Sequence, residues 1–450
     1  MDTQLLLAAF GGISLLLFLV TKFKINAFIS LLISSIFVGL AAGMPAGTVI
    51  ESIQEGMGGT LGFVATVVGL GAIFGQILEH SGGAEALAKT LLQKFGQDNA
   101  SWALTLTGFF IAIPVFFDVG FIILVPLVYA LARDTGKSLL YYGIPLLAGL
   151  AVTHSFIPPT PGPIAVAEIV NADLGWVILF GFIIGIPAVI LAGPVFGGYI
   201  SSKIDAEVPE YMDIDETSDA QSALPSFTLI VSIISIPLLL ILSNTLTEAL
   251  AGAGVLQQGA ITEIFSFLGH PFVALLLAVL MALYWLGTRR GTTRSQLSDL
   301  SMEALKPAGI IILITGAGGV FKQVLIDSGI GKMMADSMAD LGFPAIVLAY
   351  LIACTVRITQ GSATVSMITA AGIMSPIISE FALSEPHKAL VVLSIAAGAT
   401  VLSHVNDSGF WLVNRYLGLS EKETLQSWTV METIISVTGF TIALVLSFFF

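Results

Sequence analysis

The chain is built from apolar runs of about twenty residues, the length a helix needs to cross a hydrocarbon layer about 30 Å thick. Spans fall near residues 4–21, 25–43, 57–78, 139–172, 176–200, 226–246, 263–286, 308–327, 386–414 and 428–450. Of 450 residues, 56% are hydrophobic and only 10% charged, which is too much apolar surface for one soluble core. The same hydrophobicity excludes a disordered chain. The expected class is an all-α polytopic membrane protein. Residues 4–21 read as a first span and not as a signal peptide, because the basic flank and the small-residue cleavage site are missing. The single cysteine, Cys354, excludes an intramolecular disulfide and a cysteine metal cluster, and no metal site is expected. A net charge of −13 argues against nucleic acid as a partner, since phosphate binding needs a basic face.

Two further apolar stretches, 102–132 and 343–378, are too long for one untilted span. Each holds polar residues at its middle: Asp118-Val119-Gly120 in the first, Arg357 to Ser362 in the second. Irregular backbone at membrane depth is tolerated only where it faces a polar cavity, so both stretches are expected to be re-entrant hairpins. With the N-terminus outside and both stretches folded as hairpins, 13 of the 17 lysines and arginines fall on the inner side. Lys332 and Lys388 fall outside, Lys322 within a span and Arg357 within a hairpin. That asymmetry supports the orientation, because the rule counts Lys and Arg and not net charge.

The chain also repeats. Residues 69–82 and 316–329 share 7 of 14 identities at an offset of 247, and both halves carry the order span, hairpin, broken span, final span. Five crossings per half make the two repeats inverted, a common transporter plan. The expected architecture is about ten transmembrane helices, two re-entrant hairpins and two broken helices. Residues 1–200 form the N-terminal repeat, 201–225 a cytoplasmic linker and 226–450 the C-terminal repeat. The linker collects seven acids (Asp205, Glu207, Glu210, Asp213, Asp215, Glu216, Asp219) against Lys203, the pattern of a solvated segment.

The functional residues should lie where helices fail. Pro158, Pro159, Pro161 and Pro163 fall within six residues, just after His154. Proline lacks an N–H donor and clashes with the preceding turn, so this span must be two half-helices around a break. His404-Val405-Asn406-Asp407-Ser408-Gly409 breaks the matching span without proline, through side chains that compete with helix hydrogen bonds. Asp407 there reads equally as a helix cap and as a substrate or proton group. Asp118 is the only acid between Trp102 and Ala132 and suits reversible protonation. Arg357 stays charged when buried and pairs with carboxylates through its fork, and its ordinary role would be an ion pair with Asp407 or Asp118. Gly361-Ser362-Ala363-Thr364 offers hydroxyls and backbone N–H groups to an anion. His154 can titrate near neutral pH. Glu168 and Glu432 lie near span ends, where water or a neighbouring helix is the expected surrounding. The glycines at 69–71 and 316–319 form no phosphate loop, since no GK[ST] follows. No serine–histidine–acid triad or filter repeat points to a membrane enzyme or a channel.

Several ordered segments together resemble the gluconate:proton symporter (gluconate permease) family of bacteria, nearly end to end. They are Gly58 to Gly62, Phe117 to Phe121, Thr153-His154 with Pro158 to Pro163, Phe321 to Gly329, Arg357, Gly361 to Val365, and Ser403 to Leu412. The resemblance implies a bacterial inner-membrane carrier of the inverted-repeat ion-transporter superfamily, importing a sugar acid such as gluconate with a proton. Thr160 stands where the family pattern often has histidine, and Ser408 where it often has proline, so these positions bear on which small acid is carried. Under this reading Arg357 holds the carboxylate. Gly361, Ser362, Thr364, Thr160, His154 and Asn406 complete the substrate site, and Asp118, Asp407 or His154 carries the proton. No cofactor is expected. The proton is the coupling ion, with Na⁺ coupling and carriage of another carboxylate or a hydroxy amino acid such as D-serine as alternatives. The expected partners are the small anion, the lipid bilayer and, as an open question, further copies of the chain.

Overall fold

The computed structural model describes residues 3–209, 224–257, 259–341, 344–381 and 383–450. Within them all regular structure is helical. Most of the linker lies outside the described residues, including Glu210, Asp213, Asp215, Glu216 and Asp219.

The first half runs α1 (Thr3–Thr21), α2 (Ala27–Ala41), α3 (Ala46–His80), α4 (Gly83–Phe95), α5 (Ala100–Ile111), α6 (Phe117–Thr135), α7 (Leu140–Phe156), α8 (Pro161–Val170), α9 (Leu174–Ile190) and α10 (Phe196–Ser201). The second runs α11 (Phe227–Gly252), α12 (Ala260–Gly269), α13 (Pro271–Met281), α14 (Arg294–Asp327), α15 (Ile330–Leu341), α16 (Ala345–Gln360), α17 (Ala363–Glu380), α18 (Glu385–Gly398), α19 (Ser408–Tyr416), α20 (Glu421–Thr424) and α21 (Val430–Leu446). The starts of α3 to α8 and of α14 to α19 differ by 245–248 residues, so the repeat seen in one short motif extends over six consecutive helices.

Both suspected hairpins are helix–turn–helix units, α5–α6 and α16–α17, and both suspected breaks occur, between α7 and α8 and between α18 and α19. Nine described helices are long and apolar enough to cross a membrane. This differs from the ten expected spans for physical reasons. At 1.5 Å per residue, α2 with its 15 residues reaches only about 22 Å. The second broken span divides into α18 and α19, neither of them long enough, while the hairpin arm α17 qualifies. The helices α4 and α15, one in each half after α3 and α14, were not expected. They are short and amphipathic, with no run long enough to register as a span.

Contacts between distant segments sort the helix ends into two groups. At one end Ser138 donates to Ile204 O, and the Tyr129 hydroxyl donates to Tyr416 O. At the other, Asp173 N donates to Glu385 and Ser52 to Asp327. The α5–α6 hairpin is rooted at the first end, beside Ser138. The α16–α17 hairpin is rooted at the second, where Ser375 donates to Ile169 O. The hairpins therefore enter from opposite ends, which is what inversion of the repeats requires.

Two long helices, α3 with 35 residues and α14 with 34, cross antiparallel. Glycine permits the close approach: a Cβ on Gly319 would lie 2.1 Å from Thr60 Oγ1 and 2.6 Å from Gly56 O. Gly75 of α3 likewise meets Pro114 O in the first hairpin turn, where a Cβ would sit 2.0 Å away. The glycine-rich repeat motif is thus a packing motif, as small residues are at helix interfaces in membranes.

Candidate functional site

The tips of both hairpins and both breaks converge. In the first break, α7 ends at Phe156, Ile157 is extended, and α8 begins with Pro161 in its first turn, where the missing N–H costs nothing. In the second, residues 399–407 leave the helix until Asp407 caps α19 by accepting from Gly409 N at 3.0 Å. The second hairpin turns at Gly361, whose φ of +93° only glycine adopts readily. Gly361 is also pressed on the second break, since a Cβ there would lie 2.3 Å from Asn406 O.

Between these elements lies a cavity of about 390 Å³. Its wall is made by the start of α6 (Phe117, Asp118, Val119), the end of α7 (His154, Ser155), and the start of α17 (Ser362, Thr364). Arg357 of α16, Asp407 and Ser408 at α19, and Trp428 with Glu432 near α21 complete it. The helix starts at α6, α17 and α19 present N-terminal dipole ends to this space, which favours an anion. No side chain caps the start of α6.

Arg357 is 2% exposed. Its Nη2 donates to Asp407 Oδ2 at 2.6 Å. Asp407 is held further by Ser403 Oγ at 2.5 Å, and Ser403 Oγ accepts from Trp428 Nε1 at 2.7 Å. Thr429 Oγ1 donates to Ser403 O and closes the network. One nitrogen of the guanidinium is therefore satisfied, while Nε and Nη1 are buried without a hydrogen-bond partner. A buried donor left unmade costs about 1–3 kcal/mol, and more when charged, so these atoms are poised for an acceptor. His154 Nδ1 is also buried and unpartnered, with the ring beside Phe117 and within electrostatic reach of Asp118. Asp118 itself is exposed at the cavity.

Of the residues singled out from sequence, Arg357, Ser362, Thr364, His154, Asp118 and Asp407 meet on this cavity. Three do not line it. Thr160 lines a separate void of about 10 Å³ with Pro114 and Gly71, and its hydroxyl is taken by Ile157 O at 2.8 Å. Gly361 and Asn406 back onto each other behind the wall, and Asn406 Nδ2 donates to Ile358 O at 3.1 Å. Asp407 is a helix cap, and it is also the ion-pair partner of Arg357, the ordinary role weighed for that arginine. Sequence reading missed Ser155, Ser403, Trp428 and Glu432. Glu432 does not face water near a span end: it is 4% exposed on the cavity wall, facing Arg357 and Asp407.

Inverted hairpins and broken helices around a polar cavity, within a bundle of apolar helices, define a multi-pass membrane transporter. The relatives agree. The GntP family permease model matches residues 3–449. The low-affinity gluconate transporter of Escherichia coli K12 is 42% identical, covering 97% of this chain and 96% of its own. The Gnt-II system L-idonate transporter of the same organism is 40% identical, covering 95% and 96%. Among solved structures, the Alcanivorax borkumensis YdaH transporter superposes with a TM-score of 0.65 over 94% of this chain and 98% of that one, at 15% identity, a likeness of fold. The chain belongs to the GntP permease family, whose multi-pass members fit the bacterial inner membrane.

Proposed function

We propose that the protein imports a small sugar acid, foremost gluconate, by proton symport. The observation that carries this is the half-satisfied guanidinium: Arg357 lines the cavity, holds Asp407 with Nη2, and keeps Nε and Nη1 buried without a partner. A carboxylate is the ligand that matches such a fork. A cavity of about 390 Å³ is in the size range of sites for small organic molecules. Ser362 and Thr364, with Ser155 and Ser408, bring hydroxyl-bearing residues to the cavity wall, as a polyol chain requires. The names of the relatives support the sugar-acid class, and the L-idonate carrier supports a site tolerant of one inverted hydroxyl. Inward movement of an anion against a negative-inside potential needs a coupled cation, and the acids of the site are suited to a proton.

The test is uptake by proteoliposomes holding the purified protein. Radiolabelled gluconate should accumulate when the outside is made acidic, and a sodium gradient at fixed pH should drive nothing. Sodium-driven uptake that ignores pH would replace the proton by Na⁺. Competition by D-serine and not by gluconate or L-idonate would overturn the substrate class.

A further inference from the structure

We propose that Glu432 is the proton-carrying carboxylate of this transporter, and that Asp407 serves to hold Arg357 in place. The inference rests on the proton-symport reading and assigns it to one side chain.

Glu432 sits on α21, 4% exposed, on the same cavity wall as Arg357, Asp407 and Trp428. The three candidates drawn from sequence are each placed differently from Glu432. Both oxygens of Asp407 are engaged, Oδ2 by Arg357 Nη2 and Ser403 Oγ, Oδ1 by Gly409 N. Asp118 is exposed, so its charge is hydrated and needs no neutralising partner. His154, on α7 packed against α21, has Asp118 and not the Arg357–Asp407 pair as its electrostatic partner. Among the described residues, the remaining helices packed on α21 bring no further charge to Glu432. On α16, Tyr350 is hydrogen-bonded to Ser436, one turn beyond Glu432, with Cys354 as its neighbour; both are neutral side chains in ordinary chemistry. On α18, which packs against α21, the charged residues Glu385, His387 and Lys388 are at the opposite end of the helix. The α9 segment on the other flank carries no titratable residue.

Charge counting then selects the group. The buried part of the site holds one guanidinium and two carboxylates, Asp407 and Glu432. An entering substrate carboxylate makes three anions against one cation. Like charges gathered in a desolvated space are strongly opposed, and Glu432 is the acid that accepts no hydrogen bond and shares its one nearby cation, Arg357, with Asp407. A proton from the outer water forms an O–H bond on a Glu432 carboxylate oxygen as the substrate carboxylate seats on Arg357. The neutral acid becomes a donor to the substrate. When the site faces the cytoplasm, the substrate leaves, that O–H bond breaks and the proton passes to the inner water. Substrate binding is thus tied to the proton, because the substrate carboxylate is opposed for as long as Glu432 stays charged.

The experiment compares wild type and Glu432→Gln in proteoliposomes. Glutamine imitates the neutral acid, so gluconate binding and one-for-one gluconate exchange should persist while accumulation driven by a pH gradient is lost. Wild-type affinity should weaken up to about tenfold per pH unit as pH rises through the titration, and Glu432→Gln should be flat. A coupled wild type with an equally coupled Glu432→Gln overturns the assignment and leaves symport standing. So does a folded Glu432→Gln protein that no longer binds gluconate. A wild type indifferent to the pH gradient overturns symport itself, and the assignment with it. If Glu432→Gln does not fold, Glu432→Asp decides: the protonated-carboxyl band that gluconate induces in infrared difference spectra should shift relative to wild type, and an unshifted band refutes Glu432 as the carrier.

Discussion

Replacing Arg357 with lysine separates the two tasks of the guanidinium. Lysine keeps a positive charge opposite Asp407, so the buried carboxylate is not orphaned. It loses the planar fork, and with it Nε and Nη1, the buried donors that have no partner. Two charge-assisted hydrogen bonds to a substrate carboxylate are worth about 1.5–3 kcal/mol each. An ammonium can remake one of them, so the net loss is about 1.5–3 kcal/mol. At about 1.4 kcal/mol per factor of ten, gluconate affinity should fall roughly 10- to 150-fold. The measurement is equilibrium gluconate binding to purified protein in detergent, with thermal unfolding in parallel. Unfolding should stay close to wild type for Arg357→Lys. Arg357→Ala is the contrast: it strands Asp407 and should lose about 3–5 kcal/mol of stability besides its affinity. Affinity of Arg357→Lys within a factor of two of wild type would refute the placement of the carboxylate on the free side of the fork.

Other substitutions test the frame around that pair. Ser403→Ala removes a partner from both Asp407 and Trp428 and should cost about 1–3 kcal/mol in thermal or denaturant unfolding. Gly361→Ala forces a side chain into a left-handed position against Asn406 O and should destabilise by more than about 1 kcal/mol, read the same way. Thr160→Val breaks the bond to Ile157 O and should lower stability by about 1 kcal/mol, while gluconate affinity stays within about twofold in the binding assay, because Thr160 lies off the main cavity.

The breaks were legible because their residues cannot stay helical. Prolines 158, 159, 161 and 163 remove donors, and Asn406-Asp407-Ser408-Gly409 offers competing ones. The hairpins were legible from a mismatch between run length and polar centre, at Asp118 and at Arg357. Glu432 was not, and the cause is local. An acid four residues into an apolar run that starts near 428 has the pattern of a membrane boundary. In the structure the helix begins earlier, at Glu421 with a capping box on Ser420, and widens through a π-type turn at Leu425–Thr429. Glu432 therefore stands three turns inside, and Trp428, which has the pattern of an interfacial anchor, points inward to Ser403. Thr160 failed in the opposite direction. Its position beside the prolines marks the break correctly, but the fold of that break turns its hydroxyl back on Ile157, a detail that spacing alone does not encode.

The two breaks end in corresponding residues. Thr160 precedes α8 as Asp407 precedes α19, and the two positions differ by 247, the offset of the repeat. The repeat supplies twin half-sites, but only the second carries a cation; the counterpart of Arg357 at the same offset is Phe110. The chain is symmetric in backbone and polarised in chemistry. A ligand with one acidic end and one neutral end matches it in a single orientation, and a hexaric acid, charged at both ends, would find a cation for only one of them. Selectivity for monoacids over diacids would then follow from the divergence of the repeats, with no residue dedicated to exclusion.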